Sequence, residues 1–254
     1  MQMLDRLLPG LIRNIGFSAL YYLVVVLSFS ALWLWWRRHP PARNALQARS
    51  VSTPQIRREM MLTVSTLVIA GSVMPILFLF GFGRHVQLDP TGAKYGWIYL
   101  VFSIFLMMVI QDTYFYWSHR LIHHPRLFRW FHRTHHKSTN TNPWTTYAIG
   151  PLEALGANGA AIAILLLIPT TSLALFTFSW INTAYAVYTH LGYELYPRGM
   201  EAHWLGRWIN TSVAHNTHHA RNRYNFSWYF LFWDRTMGTL DPDYEARFRA
   251  ARGA

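Results

Sequence analysis

The chain contains no cysteine. Disulfides, thiolate metal sites and cysteine nucleophiles are therefore excluded, and any metal must be held by imidazole and carboxylate. Acids are scarce, 11 Asp and Glu against 23 Lys and Arg, and Lys94 and Lys137 are the sole lysines. Charged residues make up 13% of the 254 positions and hydrophobic ones 52%. That balance is too apolar for an ordinary soluble domain and points to a membrane protein. The formal charge of +12 comes almost entirely from arginines flanking apolar segments. Such placement suits anionic headgroups and topology signals, and it argues against a nucleic-acid-binding face. Arginine-rich, lysine-poor usage also hints at a bacterial origin.

Residues 1–14 carry Asp5, Arg6 and Arg13 among leucines and read as an interfacial lead-in. The apolar run from Ile15 to Trp36, at about 1.5 Å per residue, is long enough to cross a ~30 Å hydrocarbon core. It is too long for a signal-peptide h-region, so a retained span is expected. It closes on Trp33, Trp35 and Trp36, followed by Arg37 and Arg38, an aromatic belt and a basic stop. Met60 to Phe82 reads as a second span and Tyr95 to Trp117 as a third. Tyr147 to Ile168 and Thr171 to Tyr188 read as a hairpin turning at Pro169-Thr170, with Gly156, Ala157, Gly159, Ala160 and Ala161 allowing close packing. The linker 37–59 is rich in arginine, and loop 118–145 carries Arg120, Arg126, Arg129, Arg133 and Lys137 without an acid. The positive-inside rule puts both in the cytoplasm and the N-terminus outside.

The expected fold is all-α, an integral membrane helical bundle of four to five transmembrane helices with a cytoplasmic helical cap carrying the histidines. It forms one domain over 1–254. The first span and basic linker occupy 1–59, spans two and three 60–118, the histidine stretch 119–145, the hairpin 146–190 and the cap 191–254. A bacterial inner membrane with the active site on the cytoplasmic side is the expected location.

Six of the chain's 13 histidines fall between His119 and His136. His119 and His123 are i, i+4 and share a helix face, as two ligands of one metal require. In His132-x-x-His135-His136 the first histidine is i, i+3 and i, i+4 to the others, and the adjacent pair can splay toward two metals. His215, His218 and His219 repeat that spacing. Neutral imidazole suits iron, zinc and copper. Eight histidines exceed the needs of one metal and imply two. His124 neighbours His123 and has equal claim to face toward the site or away. His39, His85 and His203 lack a helical partner and read as surface or structural residues.

These boxes resemble the fatty acid hydroxylase/sterol desaturase superfamily of membrane di-iron enzymes. The likeness extends to Asp112-x-x-x-Tyr116-Trp117-x-His119-Arg120 before box one, and to His136-Lys-Ser, Asn142-Pro143, Thr145 and Glu153 after box two. Thr189-His190-Leu-Gly192-Tyr193 is similar to the isolated histidine between boxes two and three. Asn225-Phe226 and Trp233-Asp234-Arg235-Thr-Met-Gly238-Thr239 are similar to the closing signature. The resemblance implies two irons held by His119, His123, His132, His135, His136, His190, His215, His218 and His219. Some relatives place a tenth histidine where this chain has Glu194, which is expected to be a ligand, an acceptor fixing an imidazole tautomer, or a surface acid. Asp112 is expected to accept an N–H from a box histidine. Trp233-Asp234-Arg235 is read as an aromatic anchor and ion pair locking the cap.

The implied activity is O2-dependent hydroxylation or desaturation of a C–H bond in a membrane lipid: a sterol, fatty acyl chain, carotenoid or ether lipid. The protein's part is to place that bond and exclude water. No haem-binding domain or nucleotide fingerprint is present, since Gly81-Phe-Gly83 is too short to count. Electrons are expected from a separate donor, a ferredoxin or cytochrome with its reductase, steered to the arginine-rich face. Two alternatives stand beside this reading. One is the acyl-CoA desaturase or alkane hydroxylase type, whose first two boxes lie farther apart. The other is a non-catalytic metal- or lipid-binding membrane protein. A transporter would place its histidines mid-span.

Overall fold

The computed structural model describes residues 2–39, 45–47, 50–89, 91 and 94–253, with residues 2–6 described by backbone alone. Arg43 and Arg49 of the basic linker, and the Asp5 and Arg6 side chains, lie outside that set. Helix α1 (Gln2–Arg38) runs unbroken through the expected lead-in. The leucines there are strong helix formers, and they carry the helix through Pro9. Arg37 closes α1 by lying over the Trp33 ring, 4.8 Å from its centroid. Helix α2 (Thr53–Leu79) begins before the apolar run does. Ser52 caps it by accepting from the Gln55 N–H, and Pro54 sits in the first turn, where a missing N–H costs nothing. Helix α3 (Gly96–Ile122) continues past the expected end of its span and carries box one on its last turn.

The hairpin turns where expected but differs in its first arm. Asn142 starts a 3-10 turn, Pro143–Tyr147, through a reciprocal cap with Thr145. An extended Gly150 then precedes α6 (Pro151–Gly156), and α7 (Gly159–Leu167) follows after a further break. A two-residue strand, β2 (Thr170–Thr171), leads into α8 (Ser172–Thr189). β2 pairs in parallel with β1 (Leu88–Asp89) of the α2–α3 connection. Among the described residues, three helices, α1 from Leu7, α2 and α3, are long and apolar enough to cross a membrane. The expected four to five included both hairpin arms. The first is broken into short pieces, and α8 carries Ser172, Ser179, Asn182 and Thr183 among its apolar residues.

The helices form a bundle in which α1 packs on α2 and α8, and α3 on α7 and α8. One end gathers the β1–β2 pair and the N-terminal part of α1, with Asn14 donating to the Gly71 carbonyl at 2.7 Å. The other end carries the histidines. Leu20, Met61, Val64, Ile98 and Val101 are each more than half exposed along the long helices. An apolar outer surface of this extent belongs in lipid, and the protein is a membrane protein. At the histidine end, α9 (Ser212–Arg221), α10 (Phe232–Thr236) and α11 (Tyr244–Arg252) form the cap. Its core is Val213, Ala214, Leu231, Tyr244 and Phe248.

The α1–α2 contact is closest at Gly71, where a Cβ would come within 3.0 Å of Ile15 Cγ1 and 3.3 Å of its Cα. Gly71→Leu should overpack this crossing, lowering stability by about 1–3 kcal/mol. Thermal unfolding in detergent reads the loss, and an unshifted midpoint would contradict the close packing.

Candidate metal centre

Each histidine sits where local structure aims it inward. His119 lies on the last turn of α3, and His123 closes that helix by donating its backbone N–H to the His119 carbonyl. The chain reverses through α4 (Pro125–Phe131), and box two forms α5 (Arg133–His136) with His132 at its start. His190 ends α8, and Gly192 at φ 75 turns the chain away from it. Box three rides on α9, capped by the Thr211 hydroxyl on the Ala214 N–H.

Nine histidines gather into two groups that could each hold a metal ion. The first comprises His119, His123, His132, His136 and His218, and the second His135, His190, His215 and His219. Within each group the ring nitrogens lie within 4.8 Å of one another. The adjacent pairs do splay. Box two sends His132 and His136 to the first group and His135 to the second. Box three sends His218 to the first and His215 with His219 to the second. The groups abut, with the His136 and His219 rings 4.9 Å apart.

The hydrogen bonds behind the rings set their tautomers. His119 Nδ1 lies 2.9 Å from the Phe226 carbonyl, His218 Nδ1 2.7 Å from that of Tyr224, and His190 Nδ1 2.7 Å from that of Ala186. A carbonyl only accepts, so each Nδ1 carries the hydrogen and each Nε2 presents a bare lone pair. His132 is set likewise by Glu153, with Nδ1 2.6 Å from Oε1. The Nε2 atoms of His119 and His132 nevertheless approach to 2.9 Å. His190 Nε2 lies 2.9 Å from that of His215, and 3.3 Å from those of His135 and His219. His218 and His136 bring theirs to 3.1 Å. His135, His136 and His219 have no partner at Nδ1 and so can carry the hydrogen on Nε2. Where both Nδ1 atoms carry theirs, as in His119 and His132 with an ionised Glu153, the facing lone pairs repel unless a cation lies between them.

Protons do not fill that role at neutral pH. Burial holds the His190 and His218 imidazoles down to about 4. Burial, reinforced by neighbouring imidazoles, drives His132, His135, His215 and His219 well below the ordinary value. Neutral, converging, tautomer-fixed imidazoles are the donor set of a divalent transition metal. Two such sets, side by side, fit a pair of metal ions.

Four expectations end elsewhere. His124 is exposed and caps α4, its Nδ1 accepting from the Arg126 N–H at 3.4 Å. Glu194 is neither ligand nor surface acid. Fully buried, it takes the Tyr188 hydroxyl at 2.7 Å and the N–H groups of Tyr196 and Val213 at 3.0 Å. It thus pins the start of α9 just before His215, holding no imidazole directly. Asp112 also receives no imidazole N–H, because its Oδ1 takes three backbone N–H groups, those of Trp228, Tyr229 and Phe230. Asp234 does not pair with Arg235, which donates instead to the Arg207 carbonyl. Trp233 is the anchor expected, stacked 5.8 Å from the Tyr116 ring. His203 accepts the N–H groups of Leu205 and Gly206 in a turn, a structural role as expected. Sequence reasoning gave Glu153 no role, although an acid inside an apolar arm is itself a signal.

The Fatty acid hydroxylase family profile matches residues 104–239, more than half of the chain and all nine clustered histidines. The chain belongs to the fatty acid hydroxylase/sterol desaturase superfamily. Among curated relatives of this hydroxylase-family chain is the Delta(7)-sterol 5(6)-desaturase ERG3B of Gibberella zeae. It is 29% identical over 239 residues, 91% of this chain and 70% of the relative. Human lathosterol oxidase is 25% identical over 91% of this chain and 73% of its own length. The C-4 methylsterol oxidase erg25 of Schizosaccharomyces pombe is 30% identical over 70% and 57% respectively. No solved structure matches the chain.

Metal removal gives this site a definite pH signature. His190 and His218 titrate near 4 when folded and near 6.5 when unfolded, so below about pH 6.5 the unfolded chain binds more protons. Metal-free protein should lose stability as pH falls from about 6.5 toward 4, and the more strongly depressed histidines continue the loss below that. Unfolding midpoints at pH 7.5 and pH 5 measure this, and equal midpoints would contradict it.

Proposed function

We propose that this chain is a membrane oxidoreductase that uses a di-iron centre and O2 to hydroxylate or desaturate a C–H bond of a membrane lipid. The observation that carries this reading is the convergence of bare imidazole lone pairs in two abutting groups. His119, His123, His132, His136 and His218 hold one iron, and His135, His190, His215 and His219 hold the other. The bound pair supplies O2 activation sufficient to take hydrogen from an unactivated C–H bond. The protein's residues orient and shield it. Glu153 and the carbonyls of Phe226, Tyr224 and Ala186 fix ring orientation through Nδ1–H. Phe226 and Phe128 wall the first group, each ring within 6 Å of His123, and keep water from it. The relatives named for sterols put a sterol first among the candidate lipids.

The arginine-bearing segments lie at the histidine end, which orients that end to the cytoplasm. Helix α4 separates the first group from that side. Its inner residue Phe128 lies 5.3 and 5.6 Å from the His123 and His136 rings. Arg126, Arg129 and Arg133 are exposed on or beside it. This face docks an acidic ferredoxin or cytochrome, which delivers electrons across a single aromatic layer.

The direct test is lipid mass spectrometry on cells with and without the gene, in the presence and absence of O2. An O2-dependent lipid gaining one oxygen or losing two hydrogens is expected. None under full reduction would leave a non-catalytic metal- or lipid-binding protein. His135→Ala should lower both bound iron and turnover, and unchanged iron would refute its ligand role. For the donor, a triple Arg126→Glu, Arg129→Glu, Arg133→Glu variant should slow reduction by an acidic ferredoxin about tenfold or more at low salt. The gap should close as salt rises, and reduction by dithionite should stay unchanged. Equal slowing with dithionite would place the damage in the centre itself.

A further inference from the structure

The loop after box three takes no part in binding metal in the reading above, yet its backbone is held with unusual completeness. Five consecutive N–H groups, Phe226 through Phe230, point at two buried carboxylates. Asp234 takes those of Phe226 and Ser227 on its two oxygens, each at 2.9 Å. Asp112 takes those of Trp228, Tyr229 and Phe230 at 3.1, 2.6 and 3.0 Å. Asp234 is fully buried and Asp112 is 3% exposed. Neither forms an ion pair among the described residues. The stretch pairs with Trp208–Asn210 only through the bridge of Phe230 with Ile209, which leaves these five N–H groups needing acceptors, and ionised carboxylates are the strongest available.

One of these peptides also faces the first histidine group. The amide whose N–H is Ser227 has Phe226 as its carbonyl. That carbonyl accepts from His119 Nδ1, while the N–H donates to Asp234 Oδ2. Carboxylate, amide and imidazole thus form one chain of hydrogen bonds ending at the His119 Nε2 lone pair. His218 is treated similarly. Its Nδ1 donates to the Tyr224 carbonyl, whose amide partner, the Asn225 N–H, donates to the Thr239 carbonyl. The Thr239 hydroxyl in turn donates to Asp234 at 2.7 Å. Asn225 is held in the left-handed region at φ 62, its side chain bonded to the Ala214 carbonyl and the Asp241 N–H. The Phe226 ring rests against His119, His123 and His218. All three belong to the first group. In the second group His190 is held instead by its own helix, through the Ala186 carbonyl.

We propose that Asp234 and Asp112 are positioning residues for the first metal site alone. Asp234 polarises the 226–227 amide so that its carbonyl makes His119 a stronger donor, and Asp112 clamps the following three residues so that this amide cannot drift. The inference rests on the reading that both groups bind metal. Asparagine at 234 keeps the shape but turns one acceptor into a donor facing an N–H, whereas at 112, where all three N–H groups meet Oδ1, it keeps an oxygen for them and removes the charge.

The test is Co2+ titration into the metal-free full-length protein in detergent, followed by its visible absorption bands, together with amide hydrogen exchange. Wild type should take up two ions per chain. Asp234→Asn should weaken one of them about 10- to 100-fold and shift its bands, leaving the other unchanged. Exchange should quicken at Phe226 and Ser227. Asp112→Asn should weaken the same ion, with faster exchange at 228–230. Thr239→Val, which removes one bond to Asp234, serves if Asp234→Asn does not fold, and should move the same ion to a smaller degree. Equal weakening of both ions, or faster exchange with both ions unaffected, would overturn the assignment. A wild-type chain that binds no Co2+ would instead fail the metal-centre reading itself.

Discussion

Nine buried imidazoles crowd into two abutting groups, and wherever two of their lone pairs face each other only a cation stabilises the arrangement. His119 and His132 make the point by themselves, because each has its Nδ1–H committed and their Nε2 atoms lie 2.9 Å apart. In water such a pair would turn apart or share a proton. Here burial suppresses the proton, and the hydrogen bonds behind the rings suppress the turn. The rest of the histidine end can be understood as the supports needed to hold that unfavourable geometry ready.

Those supports are mostly buried acids without cationic partners, which burial alone would disfavour. Glu153 holds an imidazole directly, Asp234 holds one through an amide, Asp112 holds the loop beyond it, and Glu194 holds the start of α9. Asp112, Asp234 and Glu194 are held by hydrogen bonds from neutral donors, while Glu153 bonds through Oε1 and leaves Oε2 buried without a partner. Two dications inside nine neutral ligands would leave a large uncompensated charge, and a ring of carboxylates within a few residues of the ligands offsets it. The chain's scarcity of acids makes their concentration around the site more telling. The ordinary Arg–Asp and Arg–Glu pairs, such as Arg247 with Asp241, are left to the cap's outer side.

Much of this was legible in the sequence because helical spacing maps directly onto shared faces. The i, i+4 relations of His119 with His123, of His132 with His136 and of His215 with His219 each survive as pairs within one group. The isolated His190 was reachable only through the family likeness, since nothing in its own surroundings repeats. The acids were harder. The depth of Asp112 suggests a function, and in the sequence Glu194 stays open among ligand, tautomer-fixing acceptor and surface acid. The backbone N–H groups that bind them, Trp228 to Phe230 and Val213 among them, leave no trace in composition. Glu153 gains no task from the sequence, although its partner is the box-two imidazole of His132, because nothing in the spacing of positions 132 and 153 brings them together. In the bundle, hydropathy found the spans and the Pro169 turn. It did not register that Gly150, Pro151 and the break before α7 divide an apolar run into pieces, because hydropathy sums side chains and ignores where the backbone can bend.

The two metal groups are also supported unequally, and the difference follows from where each sits. The second group hangs from regular structure: His190 from the end of α8, and His215 with His219 from one face of α9. A helix needs little else to hold a ring, and Ala186 of the same helix supplies the acceptor for His190. The first group must draw His119 from a membrane helix, His132 and His136 from a one-turn helix, and His218 from the cap. No regular element spans those sources, so an irregular loop has to join them. Its N–H groups then need acceptors that no ladder provides. The carboxylates of Asp112 and Asp234 are the consequence of putting a loop there, and the polarised amide behind His119 is what that consequence contributes to the metal site.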